Sequence, residues 1–186
     1  MKVALVVLTL NEEPNIERCL KQFKPYVDYI AVLDGASGDK TVEIASSIAN
    51  KVQVKATGGV GAELHNYAWG LVPKNTDWTI FCDADEMFHQ LFTPSLKDII
   101  KDLENKYRKV VAIRFPRANL PKCLDYPDFQ VRILKSNKGI TFVNEPHATP
   151  VLNGKLVADL EGGCMTLLDQ PIWHLPRRTD IRRPWW

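Results

Sequence analysis

The sequence predicts an α/β fold, an open and mostly parallel sheet with helices on both faces. Two observations carry that expectation. Apolar runs of strand length alternate three times with stretches of helical periodicity over the first 83 residues. Three of those runs end in polar clusters, Thr9–Glu12, Asp34–Asp39 and Asp83–Glu86. In open α/β sheets ligands bind at the carboxyl ends of the strands, so three such ends in one chain point to a single site.

Each element has its own justification. Residues 2–8 (KVALVVL) form an unbroken apolar run, as a strand buried on both faces requires. Asn11 is placed as the N-cap of the next helix, with Glu12, Glu13 and Pro14 in its first turn and Ile16, Leu20 and Phe23 at helical spacing. A second strand spans 28–33, and Asp39 caps a helix to about residue 50 with a stripe of Val42, Ala45 and Ala49. A short strand near 51–55 precedes the glycine-rich Thr57-Gly58-Gly59-Val60-Gly61. Leu64, Ala68 and Leu71 then mark a helix, and Trp78, Ile80, Phe81 and Cys82 a fourth strand. Beyond about residue 93 come a helix at 94–107, a strand at 109–115, a prolyl and aromatic loop at 116–127, and a strictly alternating strand at 128–135. Shorter strands fill 140–174. With no repeat, linker or low-complexity tract, residues 1–186 read as a single domain, 1–92 its first half and 93–186 a smaller extension that covers it.

The bulk numbers exclude several function classes. At 186 residues, 45% apolar and 25% charged, the chain has the composition of a soluble domain with a sizeable core. A net charge of +2 gives no field for nucleic acid. Cys19, Cys82, Cys123 and Cys164 contain no close pair, which excludes a zinc ribbon or redox dithiol. Cys19 and Cys82 lie in apolar runs and read as buried thiols. The apolar N-terminal run is about half the ~20 residues that span a bilayer, so it reads as a first strand of a cytoplasmic protein.

Asp83-Ala84-Asp85-Glu86 carries the chemistry. Three carboxylates in four residues repel one another unless a cation sits near them. Oxygen ligands of this kind suit Mg²⁺ or Mn²⁺, and a diphosphate completes the shell.

Taken with Thr9-Leu10-Asn11-Glu12-Glu13, Leu33-Asp34-Gly35-Ala36-Ser37-Gly38-Asp39-Lys40-Thr41 and His65-Asn66, this motif makes the chain resemble family 2 glycosyltransferases with the GT-A fold. The resemblance is close over residues 3–90. It continues through Tyr126-Pro127-Asp128-Phe129-Gln130-Val131-Arg132, as in the small bacterial lipopolysaccharide-core branch. It implies a donor-binding set of Thr9, Asn11, Glu12, Asp34, Asn66, Asp83, Ala84 and Asp85. In that set Thr9, Glu12 and Asp34 contact the nucleoside, Asp83 faces the ribose, Asp85 binds the metal and Asn66 lies near the donor phosphate or sugar. His174 would be a late metal ligand or a structural histidine. The implied donor is a nucleoside-diphosphate sugar, UDP-linked by the family's habit. The implied acceptor is a glycan or lipid-linked glycan.

The chain departs from the family in two places. Relatives carry an arginine before Asn66, where this chain has His65; either His65 substitutes or another basic group holds the diphosphate. Relatives of the branch place His directly before Glu, where this chain has Glu145-Pro146-His147. The resemblance leaves Asp128 or Glu145 as the general base, with Arg132 on the same strand face as the first and His147 near metal or acceptor; the alternatives are that the face of Asp128 and Arg132 is solvated and that Glu145 and His147 only shape a turn. Arg177, Arg178, Arg182 and Arg183, with Trp185 and Trp186, are a flap over the diphosphate, a peripheral contact with the inner membrane surface, or a solvated tail. Family 2 relatives invert at the anomeric carbon, which needs one base and one displacement. The rivals are a non-catalytic nucleotide- or carbohydrate-binding relic and a nucleotidyltransferase, although the latter would carry a basic, glycine-rich loop where Thr9–Glu13 is acidic.

Overall fold

The computed structural model describes residues 1–56, 61–119, 128–144, 148–168 and 170–174. The first half follows the expected alternation: β1 (Val3–Thr9), α1 (Ile16–Phe23), β2 (Tyr29–Asp34), α2 (Thr41–Ile48), β3 (Lys51–Val54), α3 (Ala62–Trp69) and β4 (Trp78–Asp83). β5 (Glu86–Phe88) and α4 (Phe92–Lys106) follow, then β6 (Ala112–Asn119), β7 (Asp128–Lys135), β8 (Thr141–Val143), β9 (Thr149–Leu152), β10 (Lys155–Leu156), β11 (Cys164–Thr166) and β12 (Ile172–His174).

The main sheet runs β3-β2-β1-β4-β7-β6-β12-β5, with β11 also paired to β6. β3, β2, β1 and β4 are parallel. β7 runs antiparallel to β4 and β6, and β5 antiparallel to β12. The chain winds outward from β1 to β3 and returns to β4 on the other side of β1, so the topological switch lies between β1 and β4. One apolar face packs Leu5, Val7 and Ile80 against Leu20 and Phe23 of α1, Ala45 of α2 and Leu96 of α4. The other packs Val6, Leu33 and Phe81 against Leu64 and Ala68 of α3 and Phe142 of β8. Helices thus cover both faces, as expected. Among the described residues no helix is long and apolar enough to cross a membrane.

Several expectations are corrected in detail. Asn11 is not a helix cap. Its backbone turns into the left-handed region (φ 55°), its side chain accepts the Gly38 N–H at 2.8 Å, and α1 begins only at Ile16. Asp39 does bind the Thr41 N–H at the start of α2 (3.0 Å), but the buried stripe is Thr41, Ile44, Ala45 and Ile48 rather than Val42. The strand expected at 109–115 forms at Ala112–Asn119, because the chain leaving α4 turns through 108–109 first. The extension after residue 93 takes the form of strands added to the sheet itself, plus the small sheet β10-β9-β8.

Candidate functional site

The site is built where β1, β2 and β4 end. The register sets Thr9 beside Asp34 and Leu8 beside Asp83, which brings the three polar clusters to one edge of the sheet. The loops after β1 and β2 are laced together. Asp34 is fully buried; its Oδ2 accepts the Thr9 hydroxyl (2.8 Å) and the Ser37 hydroxyl (2.6 Å), and its Oδ1 accepts the Ser37 N–H (2.7 Å). Ser37 in turn accepts the Asn11 N–H at 2.7 Å, Thr41 accepts the Glu12 N–H at 2.7 Å, and Glu12 accepts the Asn15 side-chain amide at 3.0 Å.

The acidic motif turns out of β4 into β5. Ala84 is buried, and its carbonyl accepts from Arg18 of α1 at 3.3 Å. The Glu86 carboxylate folds back to accept the Asp83 N–H at 3.2 Å. Arg132 reaches in from β7, and its Nη2 donates to both Asp83 Oδ2 (2.7 Å) and Glu86 Oε1 (2.5 Å). Burial pushes the Glu86 carboxyl up to about 7, against the pull of Arg132. For Asp83 burial also pushes upward, but Arg132, His65, Arg117 and His174 outweigh it and hold the carboxyl below its ordinary value.

His174 arrives through pairing of the edge strands. β12 lies antiparallel to β5 with His174 opposite Glu86, and its Nε2 sits 3.0 Å from Asp85 Oδ2. Burial favours the neutral ring, but the bond to Asp85 prevails and raises its pKa above the usual histidine value. Asp85 and His174 are therefore in contact, offering one carboxylate and one imidazole. Among the described residues no group of three His, Cys, Asp or Glu side chains forms a self-sufficient metal site.

Asn66 and His65 occupy the neighbouring face. The Asn66 amide donates to the Phe142 carbonyl (2.9 Å) and accepts the Phe142 N–H (2.8 Å), so it clasps α3 to β8. The His65 ring lies against Phe81 and Phe142, with Nδ1 2.9 Å from the Gly61 carbonyl. Of the candidate bases, Asp128 starts β7 in register with Arg117 of β6. Glu145, His147 and Arg177 lie outside the described residues. His89 is a loop residue as expected, its carbonyl accepting the Phe92 N–H.

Arg18 and Arg117 were not found by sequence reasoning. Arg18 flanks the apolar stripe of α1, a faint signal; Arg117 depends on which strand lies beside β6, which local sequence does not carry. Cys19 and Cys82 are buried as expected, 3.8 Å apart behind the motif.

Residues 4–122 match the family described as glycosyl transferase family 2, and the chain belongs to that family. It is 41% identical over 86 residues to an uncharacterized glycosyltransferase of Rickettsia bellii, a match covering 46% of this chain and 28% of the relative. A Rickettsia typhi uncharacterized glycosyltransferase is 36% identical over 90 residues, covering 48% and 30%. The matched part thus spans less than a third of either relative. Among solved structures, S. aureus TarS superposes with a TM-score of 0.65 at 16% identity, over 95% of this chain and 37% of TarS. Glucosyl-3-phosphoglycerate synthase from Mycobacterium tuberculosis, solved with Mn²⁺, uridine diphosphate and glucosyl-3-phosphoglycerate, gives 0.51 at 22% identity, over 62% and 44%. The fold is the GT-A fold of these enzymes.

Proposed function

We propose that this chain transfers a sugar from a nucleoside-diphosphate sugar to an acceptor hydroxyl on a glycan or lipid-linked glycan, with a divalent metal and with inversion. The observation that carries the reading is the contact of Asp85 with His174 beside Asp83, at the edge where β1, β2 and β4 end. A carboxylate and an imidazole suit Mn²⁺, and Mg²⁺ with less preference, because imidazole is the softer donor. Asp85 and His174 would hold the ion, and as two ligands they would leave it open to the donor's diphosphate. Such an ion supplies positive charge to the leaving group.

The chain's own residues do the rest. Thr9, Asn11, Glu12 and Asp34 form the floor under the nucleoside, with Asp34 holding the loop that shapes it. Asp83 takes the ribose, and Asn66 keeps α3 and β8 together beside it. Arg117 adds positive charge felt by both Asp83 and His174, a counterpart to the arginine that His65 replaces. Asp128 or Glu145 removes the proton of the acceptor hydroxyl. In this reading 1–92 bind the donor and 93–186 the acceptor within one catalytic domain that works in the cytoplasm. A UDP-sugar is the first donor to try, in keeping with the uridine diphosphate bound by the synthase of the same fold.

The test is nucleoside diphosphate release from UDP-, GDP- and dTDP-sugars with Mn²⁺, Mg²⁺ or EDTA. Release from one donor that EDTA abolishes and Asp85→Ala lowers about 100-fold or more is the expected result. Metal-dependent binding without release, even with candidate acceptors, would make the chain a binding relic. Neither release nor binding would sink the assignment.

A further inference from the structure

We propose that Arg132 is a positioning residue that fixes Asp83 for the donor ribose, and so sets the preference for a ribonucleotide; this rests on the donor reading above. The backbone delivers Arg132 by an irregularity. β7 pairs with β4 only as far as Ile133, opposite Ile80. Against β6, Ile133 lies opposite Ile113, but Val131 lies opposite Arg114, so β7 has one residue too many at position 132. A bulge of this kind re-aims the side chain it carries. Here it directs the guanidinium of a side chain only 9% exposed onto the two carboxylates that flank Ala84 and Asp85.

The division of labour between those carboxylates is uneven. Glu86 is fully enclosed and has both oxygens engaged, one by Arg132 and one by the Asp83 N–H. Asp83 keeps a side chain 42% exposed. Its Oδ2 is held by Arg132, while its Oδ1 accepts no hydrogen bond among the described residues. A carboxylate pinned at one oxygen by a charge-assisted bond loses its rotamer freedom and presents the other oxygen in one place. That is the geometry needed to take a ribose hydroxyl from the open side. Glu86 serves as the second anchor that keeps Arg132 in place. Both bonds leave from the one terminal nitrogen Nη2, so a lysine at 132, with its ammonium on a shorter stem, would supply the charge without the reach to both carboxylates.

The experiment compares binding of UDP, 2′-deoxy-UDP and 3′-deoxy-UDP in the presence of Mn²⁺ by calorimetry, using the GDP series if GDP binds instead; dTDP, which already lacks the 2′-hydroxyl, is run beside them, and binding of dTDP in preference to both UDP and GDP overturns the proposal. Wild type is set against Arg132→Lys, which keeps the cation, and Arg132→Met/Glu86→Gln, which removes both charges of the buried pair; thermal melting confirms that each is folded. Wild type should prefer the ribonucleotide over at least one deoxy analogue by about ten-fold or more, the effect of one hydrogen bond to a charged group. In either folded variant that preference should fall to about two-fold, through weaker binding of the ribonucleotide and not of the deoxy analogue. A folded variant that keeps the full preference overturns the proposal and leaves Arg132 an ion pair that serves the fold alone. Wild type that binds the nucleotide with no preference for the hydroxyls overturns it as well, while leaving the donor reading intact. Wild type that binds none of the three nucleotides with Mn²⁺ overturns the donor reading, and this proposal with it.

Discussion

Ala36 is held at φ 70°, in the left-handed region, between two glycines in the loop that closes over Asp34. The reversal there lets the next residue aim both its N–H and its hydroxyl at the Asp34 carboxylate. For a residue with a Cβ this conformation costs about 1–2 kcal/mol. Ala36→Gly should therefore raise unfolding stability by about 0.5–1 kcal/mol, the relief being partly offset by the freedom that glycine gains in the unfolded chain. The urea midpoint measures it; a lower midpoint would mean that the methyl group packs usefully. Neither this strain nor the Arg132 pairing was legible in the sequence. Asp83 and Asp85 stood out because a carboxylate cluster at the end of a buried strand is costly without a purpose. Arg132 showed as a polar position of an alternating strand and as the last residue of a family motif, but its partners did not show, since the bulge that aims it depends on pairing with both neighbours. Asn11 read as a cap because asparagine before acidic residues and a proline fits a helix start. Its actual partner, Gly38, lies on another loop.

At the scale of elements, α3 is joined to β8 by the rings of His65 and Trp69 against Phe142, by the Ala62 N–H to the Asn144 carbonyl just beyond the strand, and by the side chain of Asn66. Asn66 substitutes for a neighbouring strand by satisfying both the N–H and the carbonyl of Phe142, while Trp69, Phe81 and Phe142 pack edge and face beneath it. Asn66→Ala removes both bonds but leaves the aromatic cluster. Each buried backbone group left without a partner costs about 1–3 kcal/mol, so a loss of about 2–4 kcal/mol is expected overall. Hydrogen exchange should report it locally, with the Phe142 amide losing protection while β1 and β2 keep theirs. Unchanged protection at Phe142 would mean that the ring contacts and the Ala62 bond hold β8 without it. The helices and parallel strands of the first half were legible because each is coded by its own period of apolar residues. β5 was not, because three residues beginning at Glu86 carry no period and look like the tail of the acidic motif. The pairing of β12 with β5, which brings His174 to Asp85, joins segments more than eighty residues apart and leaves no local trace.

At the scale of the whole molecule, the alternation of strands and helices was enough to read the first half as a parallel sheet, whereas the order of its strands and the placement of β7 against β4 depend on pairing that local sequence does not carry. The finished sheet has two poles that treat carboxylates differently. The site pole gathers Asp83, Asp85 and Glu86 around Arg132 and His174, and there the burial of Glu86 lifts its pKa to about 7. The opposite pole ties the starts of the strands together. Asp28 accepts the Val3 N–H and pairs with Lys97 of α4, each at 2.8 Å, and Asp77 accepts the Lys2 N–H at 2.6 Å. Burial alone would raise the Asp28 pKa, but the bonds from Lys97 and Val3 prevail and place it below its ordinary 3.8. A depressed folded-state pKa gives stability that is complete above the unfolded value and disappears as pH falls through the folded one. Asp28→Asn keeps an oxygen for the Val3 N–H and removes the charge. Wild type should therefore exceed this variant by a constant margin above about pH 5, no more than about 1 kcal/mol because the pair is partly in solvent. The margin should close as pH falls below 3.8, the ordinary value of the group. Urea unfolding of both proteins across that range measures it. A margin that stayed constant to about pH 2.5 would show that neither Lys97 nor the Val3 N–H favours the charged form of Asp28 in solution.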